Sequence, residues 1–414
     1  MTPPRGLLSS VALVIGLQAL PIAAGPLATD ATATEVRFTK TQVDPTFRAE
    51  GVAVADVDGD GKKDILAGAL WYKAPDWKPH ELAPVEKFDG ATGYSNAFCC
   101  FSDDLNKDGR PDLIVVGWPG KAVRVYENPG PEKLGAHWPL HEAFPSCSNE
   151  SPQYVDLDGD GRREIVCGFL PEERLAWFTP GAMITDPWTC HPLSGPKAPG
   201  AQTYFHGLGI GDVNKDGRND IVIPQGWYEA PADRKMPDWK LHGISPSPAS
   251  AHLYVQDLDS DGDNDILGSS AHEIGIWWYE QSKGEKGDEK GGEKWTQHLI
   301  DGSFSQSHAL MIGDVNRDGL LDFVTGKRFW AHGPKGDINP GDPAVLCWFE
   351  HSRKEGKPSW KKHVIDEDSG IGTQFELNDV NGDGLLDVAI SNKKGVFYFE
   401  QQPPAPAKPE NKAQ

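Results

Sequence analysis

Short apolar runs recur along this chain at near-regular intervals, each bounded by polar, glycine-rich turns. Four kinds alternate in a fixed order. The first precedes an acidic turn, as in Val52 to Ala55 and Leu253 to Gln256; the second follows it, as in Ile65 to Ala67 and Ile221 to Ile223. The third carries an aromatic pair: Trp71-Tyr72, Trp177-Phe178, Trp227-Tyr228, Trp278-Tyr279 and Trp348-Phe349. The fourth carries Trp-x-x-His: Trp77/His80, Trp138/His141, Trp188/His191, Trp239/His242, Trp295/His298 and Trp360/His363. Aromatic and β-branched enrichment with turn residues between predicts strands throughout.

The acidic turn reads Asp-x-[Asp/Asn]-x-Asp-Gly-x-x-[Asp/Glu] and occurs seven times. Its oxygen ligands stand at positions 1, 3, 5 and 9, and Gly at position 6 permits the sharp turn, a pattern suited to a hard cation. The first copy offers Asp56, Asp58, Asp60 and Asp64; the second Asp104, Asn106, Asp108 and Asp112; the third Asp156, Asp158, Asp160 and Glu164. The fourth offers Asp212, Asn214, Asp216 and Asp220; the fifth Asp257, Asp259, Asp261 and Asp265. The sixth offers Asp314, Asn316, Asp318 and Asp322; the seventh Asp379, Asn381, Asp383 and Asp387. An EF-hand shares the opening but needs a bidentate Glu at position 12 and flanking helices, which these copies lack. Up to seven structural Ca²⁺ ions are expected.

Starts of successive turns lie 48, 52, 56, 45, 57 and 65 residues apart. Repeats of this size built from short strands predict an all-β, seven-bladed β-propeller with four strands per blade. Only six Trp-x-x-His strands follow the seven turns. The stretch from Val36 to Val43 reads as the missing one: it would complete the last blade from outside and close the ring, leaving no free edge.

Outside the rhythm lie a Gly/Lys/Glu run, Gln281 to Lys294, an insertion from Lys327 to Pro343, and a Pro-rich tail, 402–414, expected to be disordered. Residues 1–33 have the shape of a cleavable signal peptide and short linker: Arg5, an apolar run from Leu7 to Leu20, then small residues. The propeller is assigned to 34–401 and the protein to the periplasm or exterior, with no membrane span. Six irregularly spaced cysteines fix no disulfide connectivity. The formal charge is −21, and the turns supply much of the acidity, so seven bound Ca²⁺ would bring it to about −7. With no basic stripe to offset it, nucleic acid is excluded as a partner.

The six repeated histidines read as packing beside Trp. The others break the repeat. His206 and His308 each stand six residues before the first Asp of their turn, as Glu50 and Glu150 do; His252 stands five before. His272 and His332 fall in connections on the same side, and Lys327 and Arg328 open the insertion. Such a ring of imidazoles and carboxylates offers ligands to Zn²⁺ or another divalent metal and a general base with a near-neutral pKa. Side chains alternate along a strand, so His252, one residue out of step, would turn away unless a bulge intervenes.

The repeat resembles the FG-GAP/VCBS unit, the calcium-loop propeller repeat also found in integrin α chains, over roughly Val36 to Gln401. That resemblance implies that the first strand of each blade is innermost and that all cation turns share one face. The segment Ser307-His-Ala-Leu-Met-Ile-Gly-Asp314 resembles the propeller of aldos-2-ulose dehydratases, though this chain has no sequence left for the cupin domains of those enzymes. The resemblance implies metal-assisted β-elimination of water from a keto-sugar in an axial pocket. His206 and His308 are then the expected ligands or base, with His252, His332 and Glu50 as further candidates and Lys327 or Arg328 as substrate contacts. The alternative is a non-catalytic module that holds a glycan or a protein. A lyase cleaving uronic-acid chains is a third reading, which requires an open groove with basic residues.

Overall fold

The computed structural model describes residues 35–244, 250–282 and 294–403. The leader, most of the Gly/Lys/Glu run and nearly all of the tail lie outside these residues. Among the described residues there are strands and one short 3-10 turn, Pro131–Lys133. Consecutive strands pair as hairpins into twisted sheets. The first sheet is typical: Ala53–Ala55, Asp64–Ala67, Leu70–Lys73 and Lys78–Glu81, in that order from inside to outside. The chain is an all-β propeller whose blades are such four-stranded sheets.

Two sets of four strands merge into one eight-stranded sheet, an outcome the repeat pattern does not announce. Their inner strands, Leu208–Gly211 and Ser250–Gln256, pair in parallel, with Leu208 opposite His252 and Ile210 opposite Tyr254. Glycine makes this approach possible. A Cβ at Gly211 would stand 2.5 Å from Val255 Cβ, and one at Gly209 2.6 Å from Leu253 Cβ.

At the chain ends, Arg37–Asp44 pairs antiparallel with Gly395–Gln402, Thr41 lying opposite Tyr398. The N-terminal strand is thus the outermost of the sheet that also holds Phe375–Asn378 and Asp387–Asn392.

Apolar cores lie between sheets. Phe144 and Phe178, from neighbouring sheets, stack with centroids 3.8 Å apart, and Trp77 meets Tyr398 at 4.9 Å. The repeated histidines lie on the aromatic strand beside them: His80 stacks on Trp71, His191 on Trp177, His242 on Trp227, His298 on Trp278 and His363 on Trp348. Four of the six also bond a Glu, as His242 does Glu229 at 2.6 Å. All six cysteines are free thiols, and five of them are buried.

The ninth residue of each acidic turn is a tie as well as a ligand candidate. Asp64 is fully buried. It accepts the Val57 N–H at 3.0 Å on one oxygen and the Ala74 N–H at 2.8 Å on the other, so it fastens the turn to the end of the third strand. Asp112, Asp220, Asp265, Asp322 and Asp387 repeat both bonds. A carboxylate has about four lone-pair sites, so these ties leave room for a cation. The third turn differs. Glu164 accepts Leu157 N–H at 2.9 Å, but the residue corresponding to Ala74 is Pro180, which has no N–H.

Candidate functional site

The entries to four inner strands converge. Glu50 precedes Ala53–Ala55, Glu150 precedes Gln153–Val155, His206 precedes Leu208–Gly211 and His308 precedes Leu310–Gly313. His272 comes from the turn between Asp265–Ser270 and Ile274–Ser282, and Arg328 from the insertion after Asp322–Gly326. Gly207 has φ 87° and lets the chain turn past Pro224 directly after His206.

His206 Nε2 lies 3.0 Å from His308 Nε2 and 3.3 Å from His272 Nε2. Glu150 Oε2 is 3.3 Å from His206 Nε2 and 3.5 Å from His308 Nε2. His206 and His308 are buried, and His272 is partly open. Only one proton fits between two ring nitrogens 3.0 Å apart, so three Nε2 atoms aimed at one point form a lone-pair cluster that a cation would satisfy. Three imidazoles with an adjacent carboxylate suit Zn²⁺ or a similar divalent metal.

Arg328 links the two acidic residues of this ring. Its guanidinium lies 3.3 Å from Glu150 Oε2 and 3.6 Å from Glu50 Oε1. Arg328 Nη2 and Glu50 Oε1 are nevertheless buried without a hydrogen-bond partner. Burial pushes the Glu50 carboxyl up to about 7 despite the opposing charges of Arg328 and Lys393 and the bond from Ser95. Burial would also raise Glu150, but the bonds from His206 and His308 and the Arg328 charge hold it well below the usual range. Burial, with Arg328 adding to it, keeps His308 neutral far below its ordinary titration range.

The insertion delivers a residue that the repeat pattern gave no reason to single out. Asp337 Oδ1 lies 2.8 Å from His332 Nδ1 and 3.3 Å from His272 Nδ1, and Asp337 Oδ2 accepts the His332 N–H at 2.9 Å. His332 therefore stands behind His272, 4.7 Å ring to ring, and not beside His206. Ser95, Tyr94 and Lys393 were likewise not indicated. Ser95 Oγ donates to Glu50 at 3.1 Å, and Lys393 Nζ sits 4.2 Å over the Tyr94 ring. The only signal in the sequence for Asp337 is its place five residues after His332 in a loop too rich in functional side chains to be plain.

Two expected members stand apart. His252 is buried, with Nδ1 3.2 Å from the Leu310 carbonyl, and is not one of the three histidines whose ring nitrogens gather within 4.8 Å of one another. The bulge between Ser250 and Leu253 does not bring it round. The Lys327 ammonium is buried on Ser305 Oγ at 2.7 Å, so it supports the insertion from beneath while its neighbour Arg328 faces the site.

On the opposite ends of the inner strands the acidic turns are pre-formed. In the first, Asp56 accepts the N–H groups of Asp60 and Gly61 at 3.0 and 2.9 Å. Ligand atoms of Asp56, Asp58 and Asp64, of Asp156, Asp158 and Glu164, and of Asp257, Asp259 and Asp265 gather within 4.8 Å of one another. Each of these groups includes a buried oxygen without a hydrogen-bond partner: Asp58 Oδ1, Glu164 Oε1 and Asp257 Oδ1. These orphaned oxygens fit a bound cation. The first turn, the plainest copy in sequence, already holds one of its own: the Lys73 ammonium bonds Asp58 and lies 3.0 Å from Asp60.

Residues 104–167 and 257–325 match the family model described as an FG-GAP-like repeat. Human integrin alpha-IIb is 27% identical over 187 residues, which is 41% of this chain and 17% of the integrin's length. Among solved structures, an Agrocybe aegerita lectin recognising non-reducing terminal N-acetylglucosamine aligns with a TM-score of 0.45 at 14% identity, over 89% of this chain and 86% of its own. The rhamnogalacturonan lyase YesW aligns with a TM-score of 0.41 at 13% identity, over 89% of this chain and 76% of its own. Likenesses at that level carry no function across. The two matched stretches are FG-GAP-like repeats, and part of this β-propeller chain is similar to a segment of an integrin α chain.

Proposed function

We propose that this protein is an exported, calcium-stabilised propeller that eliminates water from a keto-sugar at a divalent metal. The reading is carried by one observation: three imidazole Nε2 atoms and a carboxylate from separate blades meet at one point, beside a second carboxylate poised near neutrality. Two further assignments belong to it. The eight-stranded sheet counts as two blades joined at their inner strands, which makes seven, and the N-terminal strand closes the ring on the last. The acidic turns take Ca²⁺, with the orphaned oxygens of the first, third and fifth as support. Among the described residues no helix is long and apolar enough to cross a membrane.

His206, His272 and His308 would hold the catalytic metal, with Glu150 alongside, and the metal would supply Lewis acidity toward a ketone oxygen. Glu50, half-ionised near neutral pH, takes the α-proton as its C–H bond breaks. The electron pair forms the new C=C bond, the β C–O bond breaks, and the departing hydroxide gains a proton and leaves as water. Lys393, brought down to about 8 by burial, is a protonated donor for that step. Arg328 Nη2, buried without a hydrogen-bond partner and 3.6 Å from Glu50 Oε1, is placed to bond an oxygen of the substrate. The Glu50–Arg328–Glu150 chain holds both carboxylates in place.

Absorbance of a conjugated enone tests the reaction directly. Metal-loaded protein should form it from a keto-sugar, and His206→Ala or Glu50→Gln should each lower kcat about 100-fold or more. No turnover by the metal-loaded wild type on a keto-sugar panel would replace the enzyme with a module that holds a glycan or a protein.

A further inference from the structure

Beside Glu50 lies an open groove of 580 Å³ lined by Tyr94, Ser95, Asn96, Trp118, Lys121 and Arg124, among others. Ser95 is shared: it borders the groove and bonds Glu50 at 3.1 Å. The groove therefore lies one side chain away from that buried carboxylate, and no histidine of the cluster lines it. One side is aromatic. Tyr94 meets Trp118 at 5.0 Å, and Trp118 meets Tyr204 at 5.8 Å, with Tyr204 47% exposed. The other side is basic. Lys121 is exposed and has no carboxylate partner among the described residues, and Arg124 spends one N–H on the Asn96 carbonyl at 2.9 Å. Lys393 adds a third positive charge against the Tyr94 ring. Glu86, bonded by the Asn96 amide, is the opposing charge at the edge. A second cavity of 260 Å³ meets the groove at Asn96 and Arg124, so the path extends between two blades.

In a chain of net charge −21 such a concentration of cations beside aromatic rings is a selective feature. Aromatic rings pack against the apolar faces of sugars, and ammonium and guanidinium groups select carboxylates. We propose that this groove binds an acidic saccharide, its ring against Trp118 and its carboxylate on Lys121 and Arg124. Sugar chemistry at Glu50 is the reading on which the proposal rests. Acidic units held here would make the natural substrate a carboxylated sugar or the end of a uronic-acid chain.

The test is calorimetric titration of the full-length protein with a galacturonic acid oligosaccharide and with its neutral galactose counterpart. The uronate should bind and the neutral chain should bind at least about tenfold more weakly. Lys121→Glu should weaken uronate binding about tenfold and flatten its salt dependence. Trp118→Ala should weaken both ligands; because Trp118 also packs on Phe98, the exposed Lys121 is the decisive position. His206→Ala should bind the uronate as wild type does, so the groove stands even if the metal chemistry fails. Equal affinity for the two saccharides, unchanged binding in Lys121→Glu, or loss of binding in His206→Ala would each overturn the proposal.

Discussion

Asp337 Oδ1 stands 3.3 Å from His272 Nδ1, on the side of that ring away from His206. A carboxylate behind a ligand imidazole selects its tautomer and aims the opposite nitrogen, and losing such a partner costs about 10–100-fold in metal affinity. Asp337→Asn should therefore weaken metal binding by about that factor in competition with a chelator, while the melting curve of the calcium-loaded protein stays within a degree or two. The same metal affinity in Asp337→Asn as in wild type would make Asp337 a loop anchor for His332 and nothing more.

Glu164 is the one ninth-position acid whose second backbone donor is replaced by a proline. Its Oε1 is buried and unpaired, so on the proposed reading a cation serves the third turn where the others have a peptide N–H. Pro180→Ala would supply that N–H. Chelation should lower the melting temperature of wild type substantially and that of Pro180→Ala by less. Identical shifts in the two proteins would show that the missing bond is not what the cation replaces.

Glu376, on the inner strand Phe375–Asn378, has its carboxyl pushed up to about 7 by burial, which Arg163 and Lys63 only partly offset. An unfolded Glu titrates near about 4.3. Between these values the folded state binds a proton the unfolded state lacks, so stability from this group is present at low pH and is lost as pH rises through 7. Glu376→Gln should match wild type at pH 5 and exceed it by about 1–2 kcal/mol at pH 8 in chemical denaturation. A constant difference across that range would assign the effect to packing instead.

The parallel pairing of two inner strands rests on Gly209 and Gly211. Gly211→Val would drive a side chain into Val255 and should cost about 1–3 kcal/mol, the usual range for overpacking. Val255→Ala in the same protein should restore part of that loss. No rescue would place the strain in the backbone of residue 211.

Strand order and the acidic turns were legible because each repeat states the same physical need again: apolar faces for the core, carboxylates and a Gly for the turn. The site was legible for the opposite reason, since His206, His308, Glu50 and Glu150 occupy repeat positions with chemistry their neighbours lack. Alternation along a strand set His252 apart from the others, and its Nδ1 lies on the Leu310 carbonyl. Asp337 was invisible because an insertion has no register against which an unusual residue stands out. The merged sheet was invisible too: Gly209 and Gly211 read as ordinary glycines until the neighbouring strand is seen beside them.

Metal content by elemental analysis tests the central claim most directly. Protein purified without added metal and washed with a mild chelator should retain calcium and about one equivalent of zinc or another transition metal, and His206→Ala/His308→Ala should lose the transition metal alone. Calcium without a second metal in wild type, or a second metal that survives in the double variant, would contradict it.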